Sequence, residues 1–123
     1  MLNKEAILKK LETLNLNKDK IIIISGAALV LQDIIEYTSD IDLSCEKEYY
    51  KEIKWNTKIG YFNTEIKYYD CFEIGTNFYD INEITTVNGF NVQNINSIYK
   101  LKLLENKLKD KEIIKKLEKI LKI

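Results

Sequence analysis

The rhythm of apolar and polar positions changes several times along the chain, and each change predicts an element. Leu2 to Leu14 sets Ile7, Leu11 and Leu14 on one face between charged positions, which predicts an amphipathic helix broken by Asn15 to Lys18. Ile21 to Ile24 is an unbroken β-branched run ending at Ser25-Gly26, the pattern of a strand covered on both faces and closed by a tight turn. Ala27 to Ile34 then reads as a short apolar helix packed on that sheet. A second strand carries Asp40-Ile41-Asp42. Its two acids, being two apart, share a face, with Ile41 and Leu43 on the other.

The remaining pattern is less regular until the C-terminus. Glu46 to Trp55 reads as a helix or helical turn, and Tyr61 to Asp70, rich in Tyr, Phe, Thr and Ile, contains a third strand. Asn88-Gly89 between Val87 and Phe90 predicts a two-residue hairpin within Ile84 to Val92. Ile95 to Lys107 aligns Ile98, Leu101, Leu104 and Leu108 as a helix. Asp110 to Leu121 aligns Ile113, Ile114, Leu117, Ile120 and Leu121 as another. This order describes one α+β domain over residues 1–123, a mixed sheet flanked by helices with a C-terminal helical pair, and no repeat or linker interrupts it.

Composition removes several chemistries. The chain has no histidine, so His-based triads, His general bases and His-ligated metal sites are excluded. Cys45 and Cys71 lack metal-ligand spacing and are expected as reduced, packed thiols. All 19 cationic side chains are lysines, so no guanidinium is present to grip a phosphate with two nitrogens. Net charge is zero but uneven: residues 1–99 hold ten lysines against fifteen acids, and residues 100–123 hold nine against four. The acidic body argues against a general nucleic-acid grip, while the basic tail fits a solvated helix face. Eleven of the thirteen aromatics lie between Tyr49 and Phe90, where strand spacing makes them core and edge residues before base-stacking ones. No apolar run approaches the roughly 18 residues of a membrane span, so no membrane contact and a cytoplasmic location are expected.

What remains is carboxylate chemistry with a metal. Two aspartates on one face repel each other unless a cation lies between them. Hard divalent ions such as Mg²⁺ are held by one or two carboxylates plus substrate phosphates. A glycine turn opening a helix lets a phosphate approach first-turn N–H groups. Together, Ser25, Gly26, Asp40 and Asp42 can hold a metal–triphosphate complex.

These residues resemble the signature of the nucleotidyltransferase superfamily related to DNA polymerase β. Ser25-Gly26-Ala27 is followed by the twelve residues Ala28 to Ser39 and then by Asp40-Ile41-Asp42-Leu43. More narrowly, Gly26, Ala28, Leu29 and Thr38 to Leu43 are similar to the small bacterial members of toxin–antitoxin and abortive-infection type, and Lys100 and Lys109-Asp110 reproduce their C-terminal pattern. The glycine pair is inverted, and Ile113 stands where a second acid follows the Lys-Asp pair. The resemblance implies a minimal nucleotidyltransferase-like fold, an NTP bound over Ser25 and Gly26, and Mg²⁺ between Asp40 and Asp42. It also implies Lys100 or Lys109 near the triphosphate and a third carboxylate on the strand after the Asp-Ile-Asp strand, with Glu65 the first candidate and Asp70 the second. The expected reaction moves an NMP to a hydroxyl of RNA, protein or a small molecule. The alternative is a catalytically weak nucleotidyltransferase-like binding protein, a toxin–antitoxin component or a subunit completed by a protein partner.

Overall fold

The structure, a computed structural model, describes residues 1–60, 63–77 and 79–123. The first helix, α1 (Lys4–Thr13), is capped by Asn3, whose side chain accepts from the Ala6 N–H at 2.9 Å, and it turns Ile7 and Leu11 into the core. The isoleucine run is β1 (Ile21–Ile24), which passes directly into α2 (Ser25–Leu31). The Asp-Ile-Asp segment leads into β2 (Ile41–Cys45), so Asp40 stands just ahead of the strand rather than within it. After α3 (Lys47–Glu52) come β3 (Asn56–Ile59), β4 (Glu65–Tyr69) and β5 (Phe72–Gly75). The expected hairpin is β6 (Ile84–Val87) and β7 (Phe90–Gln93), joined by Asn88 at φ 51° and Gly89 at φ 83°, the two positive angles that such a turn requires. Two helices close the chain, α4 (Ile95–Glu105) and α5 (Lys111–Leu121).

The strands form one seven-stranded mixed sheet in the order β3-β4-β5-β2-β1-β7-β6. β2 runs antiparallel to β1 and parallel to β5, and β1 runs parallel to β7. Register divides the sheet into an inner and an outer face. Ile21, Ile23, Ile41, Leu43, Phe72, Ile74 and Val92 point inward and are buried in one cluster with Ile7, Leu11 and the apolar residues of α2. The outer face carries Ile22, Asp42, Glu73 and Asn91, which are half-buried, beside Ile24, Ser44 and Gln93, which are buried, so the central strands are covered on that side only in part.

Two differences from the sequence pattern bear on function. The segment expected to hold a third strand holds β4, with Tyr61 and Phe62 outside the described residues, and the strand beside β2 is β5. The leucines expected to align with Ile98 are open instead: Leu104 on α4 is 81% exposed and Leu108, three residues past its end, 77%, and only Ser97 and Ile98 of that helix are buried. Cys45 and Cys71 are free thiols, and burial pushes Cys45 up to about 11. Among the described residues no helix is long and apolar enough to cross a membrane.

Candidate functional site

Parallel pairing of β2 with β5 sets Asp42 directly opposite Glu73. Paired residues in adjacent strands point to the same face, so the two carboxylates stand side by side on the outer face. Asp40, two residues before Asp42, adds a third negative charge at the same end of the strand. The consequence is visible on Asp42. Burial, then Asp40, then Glu73 push its carboxyl from the ordinary 3.8 to about 6, and only Lys58 opposes them. Lys58 on β3 donates to Glu73 Oε1 at 2.7 Å.

The turn between β1 and α2 lies at the same end, because Ile24 is the antiparallel partner of Asp42. Ser25 sits at φ 57°, a left-handed conformation that costs an L-residue about 1 kcal/mol or more and that glycine adopts freely. The inverted order of the pair thus puts serine where a glycine would be relaxed. A buried amide holds it there: Ser25 N–H donates to Gln93 Oε1 at 3.0 Å, Gln93 Nε2 donates to Ser97 Oγ at 3.0 Å, and Ser97 Oγ donates to Glu83 Oε2 at 2.8 Å. Gly26 answers a different need. A Cβ on it would lie 2.8 Å from Thr38 Oγ1, so its missing side chain admits the loop that delivers Asp40. Among the described residues no side chain caps α2 at its N-cap, and the Ser25 N–H is taken by Gln93.

Beside this turn lies a hollow of about 430 Å³ between the outer face and α4, lined by Ser25, Asn77, Tyr79, Gln93 and Lys102 among others. The segment after β5 is tied across the outer face by Ser44 Oγ, which donates to the Asn77 carbonyl. Tyr79, two residues further on, lines the hollow. Burial pushes its phenol up to about 12, with Glu83, Asp42 and Glu105 adding to the effect. Two larger hollows, of about 570 and 600 Å³, do not include Ser25, and none of the three is lined by Asp40, Asp42 or Glu73. Its contact with the β1–α2 turn, rather than its size, singles out the one at Ser25.

No family model, curated protein or solved structure matches the chain.

Ser25, Gly26, Asp40 and Asp42 lie at the same end of β1 and β2, with the acids outside the hollow that Ser25 lines, and the other expected site residues do not join them. Glu65 lies on β4, three residues from Tyr68, which pairs with Glu73, so it points to the inner face. There its Oε1 accepts from Tyr50 of α3 at 3.2 Å. Asp70 is in the turn between β4 and β5 and accepts from Lys10 of α1 at 2.8 Å. Glu73, not Glu65 or Asp70, is the acid beside Asp42. Phe72-Glu73-Ile74 repeats the apolar–acid–apolar triplet Ile41-Asp42-Leu43, the signal that could have found it.

Lys100 and Lys109 are both exposed and neither lines the hollow. Lys102 does, four residues after buried Ile98 on the same helix face, and its Nζ donates to Asp110 Oδ1 at 3.1 Å. Asp110 makes no capping hydrogen bond at the start of α5. Among the described residues no three acids or thiols gather closely enough to form a metal cage. Two adjacent carboxylates and a third within electrostatic reach, short of positive charge, nonetheless fit a hard divalent ion that completes its shell with ligand oxygens.

Proposed function

We propose that the chain is a metal-dependent nucleotidyltransferase that moves an NMP from an NTP to an acceptor hydroxyl. The observation that carries this is the convergence at one end of β1 and β2 of the Ser25-Gly26 turn, Asp40, Asp42 and the strand-paired Glu73. The nucleotidyltransferase-like pattern of turn, intervening segment and Asp-Ile-Asp agrees with it.

Asp40 and Asp42 would hold the Mg²⁺, which when bound supplies positive charge to the triphosphate oxygens. The turn receives the phosphates: Ser25 offers its hydroxyl, Gly26 keeps Cβ atoms out of the way, and Lys102 meets the tail from the wall of the hollow. Glu73 takes the proton of the acceptor hydroxyl as its oxygen bonds to the α-phosphorus and the bond to pyrophosphate breaks. Tyr79 closes the side toward α4 and limits water. The acceptor, whether RNA, protein or small molecule, is selected outside these groups. A cytoplasmic setting, where NTPs are supplied, suits this chemistry.

The test is incubation with each labelled NTP, Mg²⁺ and cell extract, followed by a search for label on RNA, protein or small molecules. Asp40→Asn and Asp42→Asn should each abolish transfer with unchanged circular dichroism. Full transfer by both variants would end the assignment.

A second reading is a nucleotidyltransferase-like protein that binds NTP with little turnover and works with a partner, as in toxin–antitoxin pairs. It is favoured by the lack of a three-acid cage among the described residues and by the open Leu104 and Leu108, a surface that a partner would cover. Calorimetric NTP binding without any label transfer would select it.

A further inference from the structure

The outer face carries a cation that the metal-site reading does not use. Lys58 lies on the edge strand β3, two strands away from β5, and its side chain crosses Tyr68 to reach Glu73. Its Nζ is 5.2 Å from the centre of the Tyr68 ring and 2.7 Å from Glu73 Oε1. The register sets this up: Lys58 pairs across from Ile66, two residues from Tyr68 on the same face, and Tyr68 pairs with Glu73, which pairs with Asp42. The ammonium is thus built into the same row of side chains as the carboxylates. The bond to Glu73, with Tyr68 and Asp40 adding less, holds Lys58 protonated more firmly than usual.

We propose that Lys58 is the resident counter-ion of the acid row: it holds Glu73 out of the metal shell, competes with a divalent ion for Asp42, and leaves a single metal position bounded by Asp40 and Asp42. This rests on the reading of Asp40 and Asp42 as metal ligands. A fixed ammonium and a divalent ion cannot both sit close to the same carboxylates without repelling each other. Glu73, neutralised by Lys58, has no need of a metal. The arrangement accounts for three acids that neighbour one another yet form no cage, since one of the three is already engaged. It also sets metal affinity low until a triphosphate brings its own negative charge, which ties metal loading to nucleotide arrival.

The test uses Mn²⁺ alone as probe, with free ion measured by electron paramagnetic resonance at pH 7.5 and low salt, on the intact chain without nucleotide. Lys58→Met keeps the stem over Tyr68 and removes the charge. It should bind Mn²⁺ about fivefold tighter or more, the effect of one unit charge a few ångströms from the ion in a wet site. Lys58→Arg should bind like the parent, and Lys58→Met/Glu73→Gln should lose the gain. Because the β3 positions are all exposed, the substitutions leave the core untouched, and a thermal melt checks this. If the parent binds Mn²⁺ through Asp42 and Lys58→Met binds it no tighter, the counter-ion role is overturned while the metal site stands. If neither the parent nor Lys58→Met binds Mn²⁺, both fall together. A gain that survives Glu73→Gln overturns the part assigned to Glu73.

Discussion

Asp42 and Glu73 are register partners in adjacent parallel strands, so the β2–β5 ladder itself fixes two carboxylates next to each other. Backbone hydrogen bonds hold them there whatever their mutual repulsion. The pair is therefore a place where the fold stores unfavourable electrostatics, a common mark of a functional site.

That strain has a pH signature. Asp42 has its carboxyl raised from 3.8 to about 6 in the folded chain, so the folded state binds this proton more tightly than the unfolded one. Its contribution to stability is fully present below pH 4 and is lost as pH rises through 6. The loss amounts to about 2 kcal/mol once partial solvent screening is allowed for. Asp42→Asn should therefore stabilise the metal-free protein at pH 7.5 and flatten this part of the stability profile between pH 4 and 6, while Mg²⁺ should stabilise only the parent. Urea melts across that range, with and without the ion, measure both. A variant that is less stable than the parent at pH 7.5 contradicts the assignment of strain to Asp42.

Glu73 and Glu65 make opposite predictions. If Glu73 takes the acceptor proton, Glu73→Gln should cut kcat by about a hundredfold or more with NTP affinity little changed. Glu65→Gln, on the far face, should leave transfer alone and weaken only the contact with Tyr50. Single-turnover transfer compared with equilibrium NTP binding separates the two. Loss of transfer in Glu65→Gln with Glu73→Gln active would reverse the roles.

The contrast between these two acids marks how far the chain is legible. Strong local signals survive: β1 falls on Ile21–Ile24, and Asn88-Gly89 makes its hairpin, because both depend on neighbours in sequence. The identity of the acid beside Asp42 depends on which strand pairs with β2, a long-range choice that no local pattern carries. β5 is only four residues long and is separated from β4 by two residues, so the strand expected within Tyr61 to Asp70 stops short of it. Lysine placement fails for a simpler reason. Lys100 and Lys102 lie on the same helix two residues apart, and only the buried Ile98 reveals which of them turns toward the hollow.

Gly26 should prove to be a packing glycine rather than a turn glycine. Its φ is not positive, so substitution is decided by the 2.8 Å approach to Thr38 Oγ1. Thr38 cannot withdraw, because its backbone is paired with Leu2 through bonds of 2.7 and 3.0 Å. Gly26→Ala should cost about 1–2 kcal/mol in the parent, the usual penalty of overpacking. In a Thr38→Ala background it should cost nothing, or gain up to about 1 kcal/mol from the helix preference for alanine. Equal costs in both backgrounds would mean that Thr38 is not what demands the glycine.

Lys102 and Asp110 form a largely sequestered ion pair, with side chains 16% and 7% exposed, that joins α4 to the start of α5. Removing one charge leaves the other without its partner, so Asp110→Asn should destabilise by about 2–3 kcal/mol. Replacing both, as Lys102→Met/Asp110→Leu, should cost clearly less than the single change, since no stranded ion remains. Nucleotide binding separates the lysine's two duties. Asp110→Asn frees the ammonium toward the hollow and should keep or strengthen NTP binding in whatever fraction stays folded, whereas Lys102→Met should weaken it. Chemical denaturation of the three variants reads the first effect, and calorimetric NTP titration well below the melting temperature reads the second. If Lys102→Met binds NTP as tightly as the parent, the lysine serves only to fasten the two helices, and the positive charge for the triphosphate must come from elsewhere in the basic C-terminal segment.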